Sequence, residues 1–141
     1  MSFPIRSPRH QTGGLVVFSR VVDKIRLAAA GQLPEGYHVG IVPGNRTFDD
    51  RLCRFLGVDF ERFRARVLEG GGDEELLVWC YANGRQPDEE RIEVWNAFLT
   101  KRGWRDPAST GFAESKAAAG FADREDIQTF FDLMDAEEGH L

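Results

Sequence analysis

From Gly14 to Ala30 the apolar positions Leu15, Phe18, Val22, Ile25 and Ala29 recur at steps of three and four residues, which predicts an amphipathic helix. Val16, Val17 and Val21 widen its stripe, so this helix should lie at the centre of the fold, ending at Gly31. Downstream, Thr47 should cap DDRLCRFL, which stops at Gly57. Asp59 should cap FERFRARVLEG, and Asp73 should cap EELLVWCYA, which ends at Asn83-Gly84. Pro87 suits a first helical turn, and Asp88, Glu89 and Glu90 oppose the positive end of the dipole of a helix burying Ile92, Trp95, Phe98 and Leu99. Ala117 to Ala119 extends a short helix, and a last one over about 124–135 buries Ile127, Phe130, Phe131 and Met134. The residues 136–141 should fray, since Glu137 and Glu138 sit at the wrong end of a helix dipole.

Three junctions, Gly57-Val58, Gly103-Trp104 and Gly120-Phe121, place an apolar residue after a helix-ending glycine, with Asp59, Asp106 or Asp123 following as the next cap. Trp104 should fold back onto Leu99. The fold expected is all-α, a single compact domain of six or seven short helices over residues 1–141. Two stretches escape the helical pattern: the arm 1–12 and the long irregular loop 31–46, a length more often functional than incidental.

Charge changes the picture at one place. In RVVDKIR, Arg20, Asp23, Lys24 and Arg26 interrupt the most apolar helix. Asp23 lies three residues from each arginine and can neutralise one of them, not the set. A half-buried cation needs a partner, and Glu35, Asp49 and Asp50 are the candidates. Three readings stand: an internal ion network, a solvated helix face, and the wall of an anion site. If loop 31–46 folds back, Arg20, Asp23, Lys24, Tyr37, His38, Asp50 and Arg54 gather in a polar pocket over an apolar floor, with Asn45 and Arg46 close by. Its donor excess suits a carboxylate or phosphate on a small anionic metabolite. On that reading Lys24→Ala abolishes binding and leaves the fold intact. The rival is a protein–protein interaction or self-association module presenting Phe60, Phe63 or Phe112 as an exposed patch.

The totals exclude more than they assign. With 141 residues the chain has enough length for a core without staples. A net charge of −5 opposes general nucleic-acid binding, and the acidic face of the helix after Pro87 would repel phosphate. Cys53 and Cys80 form no ligand motif and read as buried thiols, and His10, His38 and His140 are scattered, so neither a metal nor a cofactor is implied. His38 beside Asp49 or Asp50 is the one acid–base pairing available, and no catalytic residue is assigned. The start lacks the apolar core of a signal peptide, and no segment is long enough to span a membrane, which leads to the expectation of a soluble, cytoplasmic protein. The sequence leaves oligomeric state open.

RSPRHQTGGLVVFSRVVDKIR, GYHVG, DDRLCRFLGVDF and VWCYANGRQPDEERIEVWNAFLTKRGW together resemble the bacterial family known as domain of unknown function 5069, over nearly the whole chain. Some relatives lead into the second helix with a Cys-Pro-Leu-Asp-type segment, where this chain has Asn45-Arg46-Thr47-Phe48-Asp49-Asp50, so no role passes from that cysteine. The resemblance implies a bacterial, soluble, single-domain protein and no particular chemistry.

Overall fold

The fold is that of a computed structural model that describes residues 2–140. Seven helices follow a small hairpin: α1 (Phe18–Ala29), α2 (Phe48–Leu56), α3 (Phe60–Leu68), α4 (Asp73–Asn83), α5 (Glu89–Thr100), α6 (Ser109–Ala118) and α7 (Phe130–Glu138). The chain is mostly helical and forms a single domain around α1, which packs on α3 and α4, while α5 packs on the hairpin and α7. Phe18, Val21, Val22 and Ile25 of α1 meet Leu52, Leu56, Phe63, Val67, Leu76 and Leu99 in the main core. A smaller cluster joins Phe112, Ile127 and Leu133.

The first helix is shorter than its apolar pattern predicted. Gln11–Thr12 (β1) and Leu15–Val16 (β2) pair antiparallel, with Gln11 opposite Val16 and Thr12 opposite Leu15. Gly13 and Gly14 have φ of 56° and 83°, the positive values that a two-residue hairpin loop demands. Val17, also at positive φ (79°), then turns the chain into α1. Leu15, Val16 and Val17 are buried, so they satisfy the helical apolar pattern while Leu15 and Val16 belong to a hairpin and Val17 to the turn after it. The α5 helix holds the hairpin: Val16 N–H donates to Asn96 Oδ1, Asn96 Nδ2 donates to the Gly14 carbonyl, and Trp95 Nε1 donates to that of Val16.

Thr47, Asp59 and Asp88 accept from the backbone N–H groups of Asp50, Arg62 and Arg91, as cap residues do. Asp73 does not cap α4. Gly72 occupies that position, and the Asp73 carboxylate turns to Arg6 instead. The glycine–apolar half of the junction pattern holds at Gly57 and Gly120, where Val58 and Phe121 donate to carbonyls five residues back. It fails at Gly103. That N–H bonds Asp106 Oδ2, and Trp104 is 46% exposed beside the Arg105 guanidinium rather than against Leu99. Asp123 caps nothing, because α7 starts later, where Thr129 accepts from Asp132 N–H.

The expectation of a frayed end at 136–141 is also corrected. The α7 helix continues to Glu138, which is 6% exposed, and His140 N–H closes the turn onto the Asp135 carbonyl. Residue 141 lies outside the described part. The misplacement of Glu138 against the helix dipole is outweighed by its buried partner, Arg20. Among the described residues, no helix is long and apolar enough to cross a membrane.

Candidate functional site

Each charge of RVVDKIR has a partner inside the protein. Arg20, on the buried side of α1, makes a two-pronged bond to Glu138 (2.7 and 2.6 Å) and donates to the Arg6 carbonyl. Tyr37 Oη donates to the same carboxylate at 2.7 Å, so burial and that contact both push its ionisation upward. Asp23 faces the other way, receiving Arg6 through its backbone N–H and guanidinium, while Arg6 also bonds Asp73. Lys24 donates to Asp49 (2.7 Å) and to the His38 carbonyl (3.2 Å). Arg26 donates to the Gly71 carbonyl. The geometry is that of an internal ion network. Of the three partners the sequence offered, Glu35, Asp49 and Asp50, only Asp49 takes this role; Arg20 and Asp23 instead use Glu138 and Arg6, which are distant in sequence.

The long loop does fold back over α1. It is tied down by Lys24, by the Gly40 N–H donating to Asp49 Oδ2, and by Thr47 Oγ1 donating to the Gly40 carbonyl. Beneath it opens a cleft of about 660 Å³, bounded by α1, the loop, α2, α6 and α7. Arg20, Lys24, Tyr37, His38, Asn45 and Arg46 line it. Asp23 does not, since it lies with the arm on the opposite side of α1. Asp50 and Arg54 line a separate groove of about 480 Å³ with Cys53 and Phe60. Asp50 accepts from Arg46 and Arg54, each at 3.1 Å, so adjacent Asp49 and Asp50 serve different cations. The Asp49 oxygens accept from Lys24 and from the Gly40 N–H, and among the described residues no hydrogen bond joins Asp49 to the His38 ring.

Two arginines that sequence reasoning left out of the site complete the cleft: Arg51 of α2 and Arg102 just after α5. Both guanidinium groups lie 5.1 Å from the centroid of the partly exposed Phe98 ring, a stacking that orients them without consuming charge. Arg102 has Asp106 at 3.6 Å. Arg51 has no carboxylate within ion-pair distance among the described residues. Burial, then Arg102 and Arg46, lower its proton affinity from the usual arginine value. The floor is apolar: Val17, Phe48, Phe130 and Met134. The signal for Arg51 was present in DDRLCR, where an aspartate one residue away cannot face it on a helix. Nothing in the local sequence brings Arg102 there; tertiary packing does.

Cys53 and Cys80 are buried free thiols, each pushed up to about 12 by burial, so neither is a ready nucleophile. Phe60, Phe63 and Phe112, the residues suggested for an exposed apolar patch, are all buried. No group of three His, Cys, Asp or Glu side chains suited to a metal ion occurs among the described residues.

A model of the family described as "Domain of unknown function (DUF5069)" matches residues 2–140. The chain belongs to this family. The match takes in the arm, the loop and the whole of α7, so the elements around the cleft all lie within the family domain. No curated protein matches the chain.

Proposed function

We propose that this DUF5069 protein binds a small anionic metabolite, phosphorylated or carboxylated, in the cleft under loop 31–46. The observation that carries the reading is Arg51: a partly buried cation that makes no ion pair among the described residues, beside Arg46 and Arg102, over an apolar floor. A positive charge held out of water is costly, and an anion that joins it recovers that cost. Planar guanidinium forks suit the paired oxygens of carboxylate and phosphate. The α1 charges have a different role in this reading. Arg20 and Lys24 form one wall, but their charge is already spent on Glu138 and Asp49.

A thermal-shift screen against phosphorylated and carboxylated metabolites tests it. A ligand at about 100 times its Kd stabilises by about 2.7 kcal/mol, a shift of several degrees in a domain of this size. The expected hit raises Tm saturably in the parent protein and in Arg91→Ala, an exposed control away from the cleft, and fails to do so in Arg51→Ala. A shift that survives Arg51→Ala, or no shift across the whole set, overturns the reading.

A further inference from the structure

The cleft has a second charged group without a partner. Glu137 lines it, and among the described residues its carboxylate makes neither a hydrogen bond nor an ion pair. Its neighbour Glu138 is engaged by Arg20 and Tyr37 and repels it, and Arg20 offers Glu137 only a smaller, opposing attraction.

The α7 helix fixes where this acid stands relative to the arginines. Phe130, Met134 and Glu137 all line the cleft, at the spacings of four and three residues that share one helix face. Phe130 N–H donates to the Arg102 carbonyl at 3.0 Å, which pins the start of α7 to the arginine end. Glu137 is seven residues further on, about 10 Å along the helix axis. Between the two ends the face presents only Phe130 and Met134. The α7 wall therefore runs from the arginine end, over an apolar middle, to an acid, and it faces Arg20 and Lys24, whose charges are already paired.

We infer that the ligand is a bipolar molecule, carrying a phosphate or carboxylate for Arg51 at one end and an amino or other cationic group for Glu137 at the other, joined by an apolar spacer. This rests on the anion-binding reading of the same cleft and narrows it. Glu137 is exposed and solvated in the free protein, but the second charge of a simple dianion placed beside it would be repelled. A ligand with a cationic end satisfies both groups at once. The spacer matches the Phe130–Met134 floor, where a strongly hydrated chain would lose its water without replacement.

Titration calorimetry with alkyl phosphates and the ω-aminoalkyl phosphates of the same two-, four- and six-carbon chains tests the inference. The longer amino compounds should bind about 1.5- to fivefold more tightly than their deaminated counterparts, the range for an exposed ion pair. The two-carbon pair should show no such difference. In Glu137→Gln the preference should vanish while alkyl phosphate binds as well as before or better. Equal binding of the amino and plain compounds at every length overturns the bipolar ligand and leaves the anion reading standing. Binding of neither series overturns both.

Discussion

Arg20 shows most directly what the buried charges do. Its side chain is 6% exposed and that of Glu138 1%, so neither can fall back on water when the other is lost. Arg20→Met should cost about 3–5 kcal/mol in urea unfolding, because it strands a buried carboxylate. Arg20→Met with Glu138→Leu should recover much of that loss, since the desolvation cost leaves with the pair. Lys24→Ala should also lower stability, by leaving the buried Asp49 with only the Gly40 N–H, so it cannot serve as a clean test of binding. Glu137 supplies the pH dependence. Burial and then Glu138 raise its carboxyl above the usual glutamate range in the folded state. A group raised on folding favours the native state while protonated, and that contribution is lost as pH rises through the folded value. Glu137→Gln should therefore raise Tm at neutral pH by roughly 1–2 °C and by less at acid pH, read from thermal melts across pH 4–8.

At the scale of elements, much of the fold was legible because caps and apolar spacing are local signals. Thr47, Asp59 and Asp88 announced α2, α3 and α5, and the structure places those starts where their side chains accept. The beginning of α1 was hidden because three consecutive buried apolar residues fit a helix and a two-sided hairpin equally; only Gly13-Gly14 distinguished them. The end of α7 was misread because dipole arguments are worth a fraction of a kcal/mol, whereas Glu138 answers a buried arginine 118 residues away. Loop 31–46 is held by its own chemistry at Gly40, which has φ of 83° and a position where a Cβ would come within 2.6 Å of the Phe60 ring. Gly40→Ala should destabilise by about 1–3 kcal/mol through strain and overpacking, measured by denaturant unfolding. It should also weaken anion binding by loosening the cleft roof.

Across the whole molecule, charges that look alike in sequence fall into two groups. Arginines 6, 9 and 20 sew the arm and both ends of the chain together: Arg6 joins Asp23 to Asp73, Arg9 joins Asp132 to Asp135, and Arg20 reaches Glu138. Arginines 46, 51 and 102 converge from the loop, α2 and the end of α5 on one cleft wall. The first set was partly visible, since a charged helix with apolar neighbours demands partners. The second was nearly invisible, because Arg51 and Arg102 are brought together by tertiary packing on Phe98. Of the residues the sequence gathered into one pocket, Arg20, Lys24, Tyr37 and His38 line the cleft, Asp23, Asp50 and Arg54 face elsewhere, and Arg20 and Lys24 are already paired.

The most direct measurement compares Arg51→Ala with Arg20→Met, recording Tm with and without a stabilising anion from the metabolite screen. Arg51→Ala is expected to melt within about 2 °C of the parent when unligated and to lose the anion-induced shift, since removing a cation without an acidic partner costs little. Arg20→Met is expected to lower the unligated Tm by at least about 10 °C, the consequence of a stranded buried carboxylate. The opposite pattern, with Arg51→Ala unfolding early and still answering the anion, would contradict the division between structural and ligand-reading charge.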